Sequence, residues 1–271
     1  MLKTTIEFDA LGTRWWIDLP SENDQLKEKI LDKVNDFQAK YSRFSEKSEL
    51  YKLNKNKVYE NPSSEFLDLI NYGLEMYKKT DGLFDISVGA KLESEGYGKV
   101  TTKGAVISKN LINDLKISSK KIEISDKTTL DFGGFGKGWL IDDLGKIIKN
   151  HGINSFLING GGDILVGEES QEIIIEHPLK PGYSIKSIIL KNQSLASSSA
   201  LKRTWKNYAQ ETKSHIINPF GEVKSDILSM HVIANTALLA DTLATVFLFA
   251  DEASQQKLSK KFNLRFFGVT K

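Results

Sequence analysis

Helical and strand-like patterns occupy different parts of this chain, and that separation constrains its fold more than any other feature. Apolar residues recur every three or four positions from 21 to 41, from 64 to 81 and from 137 to 152. Between 155 and 234 this spacing gives way to short runs that predict strands, at 156–158, 164–166, 172–176, 184–190 and 229–234. Partial segregation of this kind favours an α+β fold over a doubly wound parallel sheet.

The two ends of the chain add elements of both kinds. Residues 3–8 and 13–19 are rich in β-branched and aromatic side chains and predict two strands joined at Leu11-Gly12. A strongly apolar helix is predicted at 236–250 and a last strand at 264–269. We find no repeat or Gly/Pro-rich linker, so the prediction is a single compact domain over residues 1–271.

Composition excludes several classes of function. The formal net charge is only +2, from 37 basic and 35 acidic residues, so neither nucleic acid nor a membrane surface is an expected partner. The chain has no cysteine, which excludes disulfides, thiolate metal sites and cysteine nucleophiles. The first residues show no leader and no lipidation site, from which we expect a cytoplasmic location, or export if a leader has been removed.

Two glycine-rich stretches could approach a ligand through their backbone. The segment 131–138, DFGGFGKG, opens a helix, where free N–H groups and the helix dipole suit a phosphate group. It satisfies neither the Walker A pattern nor G-x-G-x-x-G, so a simple packing turn is the alternative. The segment 159–163, NGGGD, lies between two predicted strands; its three glycines could let the backbone approach a ligand, but by itself the segment favours a wide hairpin turn.

Two further segments carry acids. In the segment 81–89, DGLFDISVG, an aromatic residue and an acid stand in a glycine-bounded loop, which is either a ligand contact or a turn between elements. On the predicted helix 236–250, Asp241 and Thr245 are four residues apart, so their oxygens project from one face. A carboxylate with a hydroxyl suits Mg²⁺; the alternative is an exposed Asp and a Thr bonded to its own helix.

These segments, taken in order, resemble the ApbE family, the FAD:protein FMN transferases. The resemblance also includes Leu11-Gly12-Thr13, the segment SELYKLN at 48–54 and the segment HIINP at 215–219. It implies an α+β domain with mixed sheets related to the T-fold. The chain departs from the family's Ser-Gly-x-Tyr and His-Ile-Ile-Asp-Pro patterns at Ser199, Leu201 and Asn218.

The resemblance also implies roles for individual residues. Asp241 and Thr245 fall on the family's metal ligands, and Gly134 falls on a third ligand position that only its main-chain carbonyl could fill. Positions that line the FAD in the family are occupied by Leu11, Leu83, Phe84, Asp85, Asp131, Lys137 and Ile216.

The implied reaction is Mg²⁺-dependent transfer of FMN from FAD to a Thr or Ser hydroxyl of an acceptor protein, with release of AMP. His215 is the candidate base for the hydroxyl proton, because the pKa of an imidazole suits that task near neutral pH. Two alternatives stay open: hydrolysis of FAD to FMN and AMP, and flavin binding without catalysis.

Overall fold

A computed structural model of the chain describes residues 4–98, 104, 106–201, 204–207, 210–221 and 226–271. Its helices are α1 (Asp24–Tyr41), α2 (Glu49–Asn56), α3 (Ser64–Lys79), α4 (Gly89–Ser94), α5 (Leu111–Asp114), α6 (Gly136–Asn150), α7 (Ala237–Phe247) and α8 (Glu252–Phe262). Its strands are β1 (Thr4–Ala10), β2 (Thr13–Leu19), β3 (Val58–Glu60), β4 (Leu115–Ile117), β5 (Lys121–Ile124), β6 (Leu157–Gly160), β7 (Ile164–Val166), β8 (Gln171–His177), β9 (Lys180–Leu190), β10 (Gln193–Ser198), β11 (Thr204–Lys206), β12 (Thr212–Ser214), β13 (Ile227–Ala234) and β14 (Arg265–Thr270).

The described elements fall into two compact units. Unit 1 comprises Met1–Phe37, Phe135–Leu201 and Lys224–Lys271, and unit 2 comprises Gln38–Gly134 and Lys202–Val223. Mixed helices and antiparallel sheets confirm the predicted α+β class. A single domain over residues 1–271 stays a prediction.

Unit 1 is built on a seven-stranded sheet in the order β1-β2-β6-β7-β10-β13-β14, with each neighbouring pair antiparallel. The β8–β9 hairpin covers part of this sheet. The core between them is aliphatic and comprises Ile164, Val166, Ile173, Ile175, Ile188, Leu190, Leu195 and Ile233. Burying an aliphatic side chain of this size contributes about 1.5–3 kcal/mol, so the hairpin is firmly attached to the sheet.

Helices α6 and α7 of unit 1 hold the residues that matter most below. Both follow the predicted apolar stripes, with Leu140, Ile141 and Leu144 fully buried on α6. The α7 helix is buried along most of its length and begins where Thr236 accepts a hydrogen bond from the Leu239 N–H. Both helices were predicted correctly, although α7 ends at Phe247 rather than at residue 250.

Unit 2 combines short helices with a three-stranded sheet, β3-β5-β4, and the two-stranded sheet β11-β12. Its longest helix, α3, begins where Ser63 accepts a hydrogen bond from the Phe66 N–H. That start agrees with the predicted boundary. None of the described helices has both the length and the apolar character that a membrane span requires.

Several boundaries and elements were predicted wrongly or missed. Helix α1 begins at Asp24 rather than at Ser21, because the Asn23 side chain caps it through the Leu26 N–H. Helix α8 was missed because its buried residues are only Gln255 and Leu258, which leave no apolar stripe to read. The other missed elements are α2, α4, α5, β3, β4, β5, β10, β11 and β12.

Candidate functional site

A lysine lies between two buried carboxylates in unit 1. The Nζ of Lys137, in the first turn of α6, lies 2.5 Å from Asp163 Oδ2 and 3.2 Å from Asp241 Oδ1. The side chains of Asp163 and Asp241 are only 3% and 4% exposed. We call these three residues the acid–lysine cluster; its formal charge is −1 when both acids are ionised.

The backbone of α6 places Asp241 beside Lys137. The Gly138 N–H donates to Asp241 Oδ2 at 2.9 Å. A Cβ on Gly138 would lie 2.4 Å from the carbonyl oxygen of Ala237, so only glycine lets α6 and α7 approach this closely. Gly138 therefore has a packing role as well as a donor role.

Asp142, one turn further along α6, holds the start of α7. Its two carboxylate oxygens accept from the N–H groups of Ala237 and Leu238 at 2.8 and 2.9 Å. Backbone N–H groups in the first turn of a helix have no acceptor within the helix itself, and a carboxylate there is favoured by the helix dipole. Burial nevertheless raises the pKa of Asp142, and the two backbone hydrogen bonds oppose that rise.

Thr245 follows Asp241 by one helical turn and is partly exposed. Its hydroxyl lies 3.3 Å from Ser198 Oγ on β10. The neighbouring Ser197 N–H donates to Asp163 Oδ1 at 3.2 Å, so β10 contacts both ends of the site. Asp241 is buried, which excludes the alternative of an exposed acid on this helix.

Asp241 is the acid of this cluster whose pKa is raised. Burial raises the pKa of Asp241 to about 7, with Asp163 adding to the rise and Lys137 opposing it. A buried carboxylate that one lysine leaves incompletely compensated would be stabilised by a further cation.

The donor atoms fit a hard cation. Among the described residues no three His, Cys, Asp or Glu side chains form a group that could hold a metal ion. A metal here would therefore need the hydroxyl of Thr245 or main-chain oxygens beside the Asp241 carboxylate. Carboxylate, hydroxyl and carbonyl oxygens with retained waters are what Mg²⁺ accepts.

The NGGGD segment forms a hairpin turn, as one of its two predicted alternatives required. The Gly160 N–H donates to the Asp163 carbonyl at 2.8 Å, and Gly161 and Gly162 have positive φ angles of 72° and 102°. The same turn ends by directing Asp163 at Lys137. Sequence reasoning missed this role of Asp163, although the acid after three glycines was a visible signal.

In unit 2 the loop before α6 is fastened by Asp131. Its Oδ1 accepts the Gly133 N–H at 2.7 Å, and its Oδ2 accepts from Arg43 Nε at 2.6 Å. Gly134 packs beside Phe84, since a Cβ there would lie 3.3 Å from the ring. Arg43 was missed because a single arginine between two helical segments gives no sequence pattern.

The segment 81–89 forms a tight turn, a one-turn 3₁₀ helix at Ile86–Val88, and then α4. Asp85 caps the short helix by accepting the Ser87 N–H at 2.7 Å, and burial raises the pKa of Asp85. A cavity of about 300 Å³ beside it is lined by Tyr77, Gly82, Asp85, Ile107, Ser108, Lys109, Pro219 and Phe220. Leu83 is half-buried and Phe84 is buried.

The segment 215–219 follows β12 in unit 2. His215 is half-buried and Ile216 is buried, and the Ile216 N–H donates to Ser214 Oγ at 3.2 Å. The next residues form a turn in which Asn218 Oδ1 accepts the Phe220 N–H at 3.0 Å. Asn218 thus has a local role where the family pattern has an aspartate.

Leu11 forms the tip of the β1–β2 hairpin in unit 1. Ala10 pairs with Thr13, so Leu11 and Gly12 are the two loop residues, both with positive φ. This backbone is typical of a type I′ turn.

The structure thus brings together Lys137 and Asp241 among the predicted site residues, with Thr245 one turn away. Every predicted contact to FAD and to a metal stays a prediction.

A family model described as the ApbE family matches residues 11–267. The chain belongs to the ApbE family. The FAD:protein FMN transferase of Buchnera aphidicola subsp. Baizongia pistaciae is 26% identical over 284 residues, covering 92% of this chain and 81% of that protein. The FAD:protein FMN transferase of Escherichia coli strain K12 is 24% identical over 295 residues, covering 99% of this chain and 84% of that protein.

Solved structures show the same fold. The flavin transferase ApbE from Vibrio cholerae has a TM-score of 0.79 at 19% identity, covering 99% of this chain and 94% of that one. The ApbE protein from Thermotoga maritima has a TM-score of 0.83 at 23% identity, covering 98% and 94%. The predicted ApbE family is confirmed, and with it the prediction of a transferase enzyme.

Proposed function

We propose that this ApbE-family chain transfers the FMN part of FAD to a Thr or Ser hydroxyl of an acceptor protein and releases AMP in a Mg²⁺-dependent reaction. The observation that carries the proposal is the acid–lysine cluster, two buried carboxylates with one ammonium, with Thr245 one helical turn after Asp241 on α7. It lies on the family's Ala-Asp-x-x-Ala-Thr segment, and the relatives' names support flavin transfer to proteins.

In unit 1, Asp241 and Thr245 would hold the magnesium ion. Bound there, the ion would neutralise negative charge on the pyrophosphate of FAD. Without a metal, Lys137 opposes the rise that burial causes in the pKa of Asp241, and Asp163 holds the Lys137 ammonium group in place. Ser198 orients the Thr245 hydroxyl from β10. Main-chain ligation by Gly134 stays a prediction.

The proposed FAD contact set includes six further residues. Leu11 belongs to unit 1, whereas Leu83, Phe84, Asp85, Asp131 and Ile216 belong to unit 2. The cavity beside Asp85 is at the lower end of the volumes that small-molecule sites occupy, so it could accept one part of a dinucleotide.

The proposed transfer forms one bond to phosphorus, breaks another, and needs one base to accept a proton. The acceptor hydroxyl oxygen forms a bond to the phosphorus on the FMN side, and the bond from that phosphorus to the oxygen of AMP breaks. His215 takes the hydroxyl proton, and AMP leaves as a phosphate monoester. Positioning and charge neutralisation supply most of the rate in phosphoryl transfer.

The test is AMP release from FAD, followed by chromatography with and without Mg²⁺ and with and without candidate acceptor proteins. Thr245→Val should weaken Mg²⁺ binding and lower AMP release, whereas Thr245→Ser, which keeps the hydroxyl, should retain both. His215→Ala should keep FAD binding and lose transfer.

Three results would count against the proposal. AMP release that is equally fast without an acceptor would favour FAD hydrolysis. Intact FAD after long incubation would favour flavin binding alone. Equal behaviour of the valine and serine variants would remove Thr245 from the metal site.

A further inference from the structure

A buried arginine in unit 2 has no role in the proposed reaction. The Arg43 side chain is only 3% exposed, and it lies just after helix α1. A guanidinium in such a place is costly unless its donors are satisfied. The groups that contact the Arg43 guanidinium therefore indicate its role.

Arg43 makes two short hydrogen bonds. Its Nε donates to Asp131 Oδ2 at 2.6 Å, and its Nη2 donates to the carbonyl of Tyr97, also at 2.6 Å. A second acid, Glu93, lies 3.8 Å from Nη1 and is 2% exposed. Arginine suits this arrangement because its rigid fork reaches several acceptors at once.

Aromatic rings hold the guanidinium plane. The Arg43 Cζ lies 4.4 Å from the centre of the Phe44 ring and 5.2 Å from that of Tyr97. Tyr97 in turn stacks on Trp205 at 4.7 Å and 25°. The Trp205 indole N–H donates to the Glu95 carbonyl at 2.7 Å, which fixes the far end of the stack.

The partner of this arginine is a residue of the proposed FAD contact set. Asp131 uses one oxygen to fasten the glycine loop through the Gly133 N–H, and Arg43 holds the other oxygen. Without Arg43 the carboxylate could rotate, since one N–H alone does not fix its plane. The Asp131 carboxylate would then no longer be held in one orientation toward a ligand.

We propose that Arg43 is a positioning residue for the donor substrate: it fixes the Asp131 carboxylate in the orientation that FAD binding requires. This inference rests on the proposed function, because it needs FAD as the ligand of Asp131. It assigns Arg43 no contact with the reacting atoms.

The test measures FAD affinity of the full chain by quenching of flavin fluorescence. Arg43→Met and Asp131→Asn should each raise the dissociation constant by about tenfold, the scale of one charge-assisted hydrogen bond. The double variant should also lose about tenfold rather than about a hundredfold, because both changes remove one interaction. Arg43→Lys should not restore affinity, since an ammonium cannot reproduce the fork.

Kinetics separate positioning from a general loss of structure. The KM for FAD in AMP release should rise with Arg43→Met, while kcat at saturating FAD should stay within about threefold of wild type. Arg14→Met is the matched control, because Arg14 also pairs with a carboxylate, that of Glu7, but is 58% exposed. Its affinity for FAD should not change.

The outcomes distinguish this inference from the proposed function. Wild-type protein that does not bind FAD would overturn the proposed function. Wild-type protein that binds FAD, with Arg43→Met binding it equally well or the two losses multiplying, would overturn the role of Arg43. If Arg43→Met does not fold, Arg43→Lys alone and combined with Asp131→Asn gives the same coupling measurement.

Discussion

Lys137→Met removes the ammonium group that lies beside two buried carboxylates. The Lys137 Nζ lies 2.5 Å from Asp163 and 3.2 Å from Asp241. The electrostatic attraction to each carboxylate is therefore about 5–7 kcal/mol for an effective dielectric constant of about 20. Desolvation of the lysine offsets part of this gain. Removing one partner of a buried ion pair costs about 3–5 kcal/mol, which is the loss in unfolding free energy that we expect.

The matched control is Lys146→Met on the same helix. Lys146 also contacts a carboxylate, Asp143 at 2.9 Å, but the lysine side chain is 72% exposed. An exposed pair contributes at most about 1 kcal/mol, so this variant should be nearly as stable as wild type. The two substitutions are chemically identical and differ in burial.

The assay is urea unfolding followed by circular dichroism, at two pH values. At about pH 8 the Lys137 variant should lose the full amount, whereas at about pH 5.5 Asp241 can take up a proton and the loss should shrink. Equal stability of the Lys137 and Lys146 variants, or a loss that does not change with pH, would refute the electrostatic reasoning.

Three further predictions concern the helices of the same cluster. Gly138→Ala should lower the unfolding free energy by about 1–3 kcal/mol or more, because its Cβ would meet the Ala237 carbonyl at 2.4 Å; urea midpoints measure this. Asp142→Ala should cost about 0.5–2 kcal/mol by removing the acceptor of the Ala237 and Leu238 N–H groups at the start of α7, and an unchanged midpoint would contradict this role. The pKa of Asp241 is raised from 3.8 to about 7 in the folded chain, so its contribution to stability is full below about pH 4 and is lost as the pH rises through about 7. The unfolding free energy of Asp241→Asn should not show this decrease between about pH 4 and about pH 7. The same dependence on pH in the variant as in wild type would be inconsistent with the raised pKa.

Local patterns predicted the elements whose burial is regular. Helix α6 has a continuous apolar stripe, and Thr236 and Ser63 are caps that can be read directly. Helix α8 could not be predicted in this way, because its buried face consists of Gln255 and Leu258. Short strands such as β4 and β11 have too few residues to show a period of two.

The site was predicted only in part, for a different reason. Asp241 and Thr245 are one helical turn apart, so their spacing alone indicates a shared face. Asp163 joins Lys137 only because of the order of strands in the sheet and the packing of α6. Arg43 joins Asp131 across 88 positions of sequence, which no local pattern encodes.

The most direct test of FMN transfer is the intact mass of an acceptor protein after incubation with this chain, FAD and Mg²⁺. We predict an increase equal to one FMN, located on a Thr or Ser, with one AMP released for each modified acceptor. Asp241→Asn should give neither product. Free FMN and AMP with an unmodified acceptor, or an adduct of the same yield from the Asp241 variant, would contradict the proposed function.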